Sequence, residues 1–350
     1  MTRKSKVIHE FQKKHPTCET YWRSIVVFGA NTATYKFALA KSLLELIKQD
    51  KDCVTLAELA EPYSRHICEH LRNAPKQTTN NSSIFLATCT RFNAKEVSKE
   101  ELLKVTERRG FNYVLDKFHN VNGGRVPLFY KYEKGDSCVK ITKDARKLSD
   151  LPFFENLSHE VEGRWNLVER AWEFGLTTKA LLPTVVSDID YDGDDGNLFI
   201  KLADKRRRIS LASARNALDG YQKGKCFYCF SDIDLTQTKG EGACEVDHFF
   251  PHRLFDTFPN GNWNGVWNLV LTCKSCNGDK SAKLPDIKYL ERLHKRNEFL
   301  INSHHPLQDT LMRQTGNNEN ARKRYLDGAS ENASVLVCSW KTLLRGEEVF

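Results

Sequence analysis

The 350-residue chain is 40% hydrophobic and 28% charged, with a net charge of +8 and a pI of about 8.8. That length is long for one core, so two or three domains of an ordinary globular protein are expected, and no internal repeat or low-complexity tract interrupts them. No signal-peptide core follows the basic start, and the apolar run at 25–30 is far too short for a bilayer, which excludes a membrane-spanning class and points to the cytoplasm. The basic balance fits a polyanionic partner without requiring one.

Residues 31–47 have a helical period: Tyr35, Leu39, Leu43, Leu46 and Ile47 share one face, while Lys36, Lys41, Glu45 and Lys48 take the other. This reads as a core-facing helix. A second helix is expected over 62–71 with Pro62 in its first turn, and a third starts at the capping pair Ser98 and Glu101. The polar stretch 76–83 between them reads as a loop. After Gly123 and Gly124, the aromatic and β-branched runs 126–132 and 138–142 predict a β-hairpin. A helix over 155–174 brings Trp165, Val168 and Trp172 to one face.

Next, Asp188, Asp190, Asp192 and Gly193 imitate the opening of a calcium loop, but Phe199 stands where its bidentate glutamate belongs. The stretch 187–195 therefore reads as a solvated acidic loop, and 182–196 as the domain boundary. A short strand at 198–202 precedes the basic run Lys205, Arg206, Arg207 and Arg208, which either contacts phosphates or faces water. A helix is expected from 210 to a stop at Gly220; beyond the central region 286–301 is helical, and 317–324 opens a last helix.

Eleven cysteines in a chain of this kind point to metal binding where they are paired and to small buried residues where they are single, as at Cys18, Cys53, Cys68, Cys89 and Cys338. Cys226 with Cys229, and Cys273 with Cys276, form two knuckles that can converge. Four thiolates close a tetrahedral zinc site with no open position, so that metal would be structural. Between the knuckles, a strand-like run ending at Pro251 puts Asp247 and His248 on opposite faces of a strand end. Residues 268–272 return as a second strand and 277–283 start a helix. His252 and the pair His304 and His305 read as surface residues, and Lys280 as a phosphate contact or an exposed helix lysine.

Over 224–284 these residues resemble the HNH endonucleases, in the Asp-His…Asn…Asn variant, with Asn277 nine positions after Asn268. The resemblance implies a ββα-metal fold and one role for each matching residue. His248 would be the general base, Asp247 and Asn277 would hold a magnesium or manganese ion, and Asn268 would orient His248 through its backbone. It implies cleavage of DNA.

The expected class is α+β: a mostly helical N-terminal domain at 1–186, an acidic linker and short strand at 187–204, a nuclease domain at 205–302 and a helical extension at 303–350. The N-terminal domain would serve recognition or regulation, through a protein partner or an activating signal. Residues 31–41 resemble stand-alone prokaryotic HNH proteins, which suggests restriction or anti-phage defence. The rivals are a DNA-binding or adaptor module on an inactive fold, and an RNA-directed nuclease. Intact Asp247, His248 and Asn277 favour the enzyme.

Overall fold

The computed structural model describes residues 3–13, 15–29, 33–79, 83–121, 126–173, 186–202, 208–237, 240, 242–255, 262–302 and 307–350. It is α+β, with helices dominant and the strands in small sheets. Two compact units divide the chain, one of residues 8–173 and one of residues 1–7 with 174–350. Among the described residues no helix is long and apolar enough to cross a membrane.

The chain opens with α1 (Arg3–Lys13), whose residues from Ile8 on belong to the first unit, and that unit continues through α2 (Cys18–Phe28), α3 (Tyr35–Ile47), α4 (Leu56–Asn73), α5 (Ile84–Asn93), α6 (Lys99–Val105), α7 (Val114–Lys117), α8 (Lys143–Ser149) and α9 (Phe154–Glu173). The predicted hairpin is present as β2 (Tyr130–Lys131) and β3 (Cys138–Ile141), and β1 (Cys53–Thr55) adds to it in the order β1-β3-β2. Cys53 is joined to Cys138 across these strands, Cys18 is half-buried and Cys338 is exposed, so of the five single cysteines named above Cys68 and Cys89 are the free, buried residues expected.

α3 is buried on more than one face, because α2, α4 and α9 all pack on it. Even Lys36, expected on the solvent side, is inside: its Nζ donates to the Gly29 carbonyl at 2.7 Å, near the end of α2. α4 starts earlier than the sequence suggests, since Thr55 and Glu58 cap it reciprocally, and Pro62 therefore lies within the helix. Ser98 caps α6 as expected, accepting from the Glu101 N–H at 3.2 Å.

α9 carries the polar heart of this unit. His70 stacks on Trp165 at 3.5 Å and bonds the carboxylates of Glu169 (2.8 Å) and Glu162 (3.3 Å). Burial alone would depress the His70 pKa, but the two carboxylates outweigh it and raise it to about 9. The interaction therefore stabilises fully below the ordinary histidine value of 6.5 and is lost as pH rises through about 9. Thermal melts across that window should show a decline in stability that His70→Gln removes; equal slopes in both proteins would exclude His70 as the linked group.

The second unit opens with β4 (Val186–Tyr191), β5 (Asn197–Leu202) and β6 (Arg208–Ser213), an antiparallel sheet in that order. A strand thus stands where the acidic linker was expected. Charge masked the strand, for the apolar Ile189 and Tyr191 alternate with aspartates, and Asp190 is buried together with Ile189, Leu198 and Phe199. α10 (Ala214–Gln222) follows, so the helix expected from 210 begins only after β6. Then come β7 (Cys244–His248), β8 (Leu269–Cys273), α11 (Lys274–Lys280), β9 (Leu284–Pro285), α12 (Ile287–Asn302), α13 (Gln308–Thr315), α14 (Glu319–Ser334) and β10 (Ser339–Trp340), which pairs parallel with β9. The segment after 303, expected to be helical, thus ends in a strand and a tail that buries Val349 and Phe350.

α12 is the organising helix. Its buried Arg296 donates to the carbonyls of Val266, Trp267 and Leu269, fixing the turn before β8. Arg292 donates to the Phe227 and Tyr228 carbonyls and lies 4.2 Å over the Phe230 ring. A planar guanidinium can collect several carbonyls at once, which a lysine cannot.

Candidate active site and metal centre

β7 and β8 pair with Cys244 opposite Cys273 and His248 opposite Leu269. Cys273 ends β8 and caps α11, so Cys276 falls in the first turn of that helix. The other knuckle closes at Phe230, in the left-handed region at φ 61°, with its N–H on the Cys226 carbonyl at 3.1 Å. The tail seals this turn. The N–H groups of Arg345 and Gly346 both donate to the Cys229 carbonyl, and a side chain at Gly346 would collide with the Phe230 carbonyl.

The four Sγ atoms of Cys226, Cys229, Cys273 and Cys276 lie within 4.8 Å of one another, and all four residues are buried. Cys229 and Cys273 are 3.8 Å apart at sulfur, the spacing that bonds of about 2.3 Å give in a tetrahedral four-thiolate site. The cluster thus fits a structural zinc. Among the described residues, no other group of three or more His, Cys, Asp or Glu converges in this way.

Asp247 hangs between the two knuckles. Tyr228, inside the first, donates its hydroxyl to Oδ2 at 2.7 Å. Lys280, at the end of the helix that the second knuckle starts, donates to Oδ1 at 2.9 Å and to the His248 carbonyl at 2.8 Å. This ion pair is buried, with the lysine side chain only 1% exposed. Lys280 is therefore neither the phosphate contact nor the exposed lysine that the sequence suggests. The helix starts at Lys274, earlier than the expected 277, and the register turns Lys280 inward. Burial pushes the Asp247 carboxyl above its ordinary pKa, against the pull of Lys280 and Tyr228.

Asn277 donates its amide to Glu245 Oε2 at 2.7 Å, not to Asp247. Glu245 and Asp247, two positions apart on β7, both face α11, where Glu245 meets the Asn277 amide and Asp247 meets Lys280. Both Asp247 oxygens are thus engaged by Lys280 and Tyr228, and Asn277 turns its amide nitrogen to Glu245, so a hard cation held here would have to displace these donors. Glu245 escaped the sequence reading, although its spacing from Asp247 was the signal that could have found it.

His248 faces the other way. Its Nε2 lies 3.0 Å from Asn264 Oδ1, and its ring packs 4.1 Å from His252 and 5.7 Å from Tyr191. His252 is exposed, as expected of a surface residue, yet it touches the central histidine; His304 and His305 lie outside the described residues. A cleft of about 500 Å³ opens here, lined by His248, His252, Tyr191, Asp190, Asp192 and Asp194 among others. Burial, and after it the neighbouring His252, lower the His248 pKa to about 3, so the ring is neutral near pH 7.

Asn268 is fully buried and does not reach His248. Its Oδ1 accepts from the Phe250 N–H at 2.8 Å, while Nδ2 donates to the carbonyls of Phe250 and Trp263. Its own carbonyl accepts from Phe249 at 2.8 Å. It shapes the loop, and the contact with the imidazole comes from Asn264, which no motif had singled out. Of the basic run, Lys205, Arg206 and Arg207 lie outside the described residues, and Arg208 opens β6.

Residues 226–286 match the family model of HNH endonucleases, a span that contains the four-cysteine cluster. No curated protein and no solved structure matches the chain. The matched stretch is a nuclease region of the HNH kind, for which the substrate class is nucleic acid.

A four-thiolate metal supplies ~10–16 kcal/mol of apparent folding free energy, as large as a typical domain's whole stability of ~5–15 kcal/mol. Cys226→Ser should therefore lose bound metal and unfold the second unit, read by elemental analysis and thermal melts. Tyr228→Phe should keep the metal and lower stability by ~1–3 kcal/mol, because one buried carboxylate bond is lost. Retained fold and metal in the serine variant would exclude the cluster as a structural site.

Proposed function

We propose that the protein is a metal-dependent endonuclease that hydrolyses phosphodiester bonds in DNA, with a zinc ion in the four-cysteine cluster holding its active site together. The observation that supports this most is His248: a neutral imidazole at an open cleft, next in sequence to Asp247 on β7, the strand whose Glu245 bonds Asn277 of α11.

His248 would take a proton from a water molecule as the water oxygen attacks phosphorus and the bond to the 3′ oxygen breaks. Asp247 and Asn277 would hold a magnesium or manganese ion, with Glu245 next to them. Such a cation would supply positive charge to a bound phosphate and to the departing 3′ oxygen. Lys280 and Tyr228 keep the Asp247 carboxylate oriented. Asn268 supports the loop that carries Asn264. By analogy of organisation alone, a nuclease region in a chain that carries another large unit suits restriction or anti-phage defence, with the first unit receiving a partner or a signal.

Purified protein should cut plasmid DNA only when magnesium or manganese is added, and His248→Ala should keep fold and zinc while the rate falls at least ~100-fold. Undiminished cutting by that variant would exclude His248 as the base. Supplying single-stranded DNA and structured RNA alongside separates the substrates. A protein that binds all three and cuts none would instead be a binding module.

A further inference from the structure

We propose that Asn264 is the positioning residue of the reaction, fixing which nitrogen of His248 carries the proton, and that the acidic strand β4 belongs to the active site because it holds Asn264 in place. This rests on the reading of His248 as general base.

Asn264 presents Oδ1 to His248 Nε2 at 3.0 Å. An amide oxygen only accepts, so the neutral ring keeps its hydrogen on Nε2 and its lone pair on Nδ1, which no described residue bonds. A base needs that lone pair free and held in one direction. Asn268 does not do this, since its amide is committed to Phe250 and Trp263.

Asn264 lies in a loop held from several sides. The Tyr191 N–H of β4 donates to the Asn264 carbonyl at 3.1 Å, and Asp190 bridges Gly265 while accepting from Asn262 Nδ2 at 2.7 Å. From α13, Gln314 donates to the Ile189 carbonyl at 3.2 Å, so the strand is itself anchored. The turn is close-fitted: a Cβ on Gly265 would stand 2.7 Å from Gln314 and Trp267 and 2.8 Å from the Asn262 carbonyl. β4 lies outside residues 226–286, so the family-matched stretch does not contain all that orients its histidine.

Three variants of the full-length, zinc-loaded protein test this: Asn264→Leu, which removes the acceptor, Asn264→Asp, which keeps one, and Asp190→Ala, which loosens the strand. Zinc content and melting temperature are checked first. With plasmid DNA and magnesium, Asn264→Leu should lose about 10- to 100-fold in kcat with KM little changed, while Asn264→Asp stays within a few-fold of wild type. Asp190→Ala should fall in the same direction as Asn264→Leu. Nitrogen NMR of the His248 imidazole gives a readout independent of cutting: wild type should hold the hydrogen on Nε2, and Asn264→Leu should show both tautomers. Wild-type kcat in Asn264→Leu beside an inactive His248→Ala, or a wild-type ring protonated on Nδ1, would overturn the role of Asn264 and leave the base intact. Unchanged kcat in Asp190→Ala would remove β4 from the site. Full activity in His248→Ala would overturn the base and this proposal together.

Discussion

The second unit depends on one buried carboxylate. Asp247 is held by Tyr228 and Lys280, and each partner is delivered by a different cysteine knuckle. Tyr228 lies between Cys226 and Cys229, while Lys280 ends the helix that Cys273 caps. A buried ion pair is weak evidence for stability, because desolvation offsets its attraction. It is strong evidence for order, because removing either partner strands a charge in a dry site. The cluster of four sulfurs therefore does more than close a loop. It joins β7 and α11 at the ends of the two knuckles, where Glu245 meets Asn277 and Asp247 meets Lys280.

The two faces of β7 divide the chemistry. Toward α11 the strand presents carboxylates, and toward the cleft it presents a neutral imidazole. That division follows from the period of two along a strand, which sends neighbouring Asp247 and His248 in opposite directions. The lysine carbonyl contact at His248 joins them again, since one ammonium touches both the Asp247 side chain and the His248 backbone. The cleft beside the histidine is walled by aspartates of the β4–β5 hairpin. A phosphate backbone entering it meets negative charge, so cations at this mouth carry weight in whatever binds there.

The first unit is organised by a different principle. Its centre is an ionic chain inside an apolar bundle, with His70 between Glu162 and Glu169, and Gln77 linking Trp165 to Thr34. Lys41 closes the chain on Glu162 at 2.6 Å. Such a network fixes the relative position of α3, α4 and α9 more sharply than apolar contacts alone, since each polar group is satisfied by particular partners.

Much of this was legible in the chain itself. Periodicity found α3, α9 and α12, aromatic and β-branched runs found the β2–β3 hairpin, and cysteine spacing found the knuckles, because each is a local pattern written in consecutive residues. What sequence missed has a common cause. The strand at Val186–Tyr191 was hidden by its charge, Lys280 was turned inward by a helix that began at the knuckle, and Lys36 was buried by three helices packing on its own. Each depends on what the rest of the fold places opposite. So it is with the site: the order of residues supplies the atoms, four thiolates, a histidine, carboxylates and amides. That Asn277 meets Glu245, and His248 meets Asn264 rather than Asn268, follows from the folded chain, because those pairings come from strand register and loop packing across 32 and 16 residues.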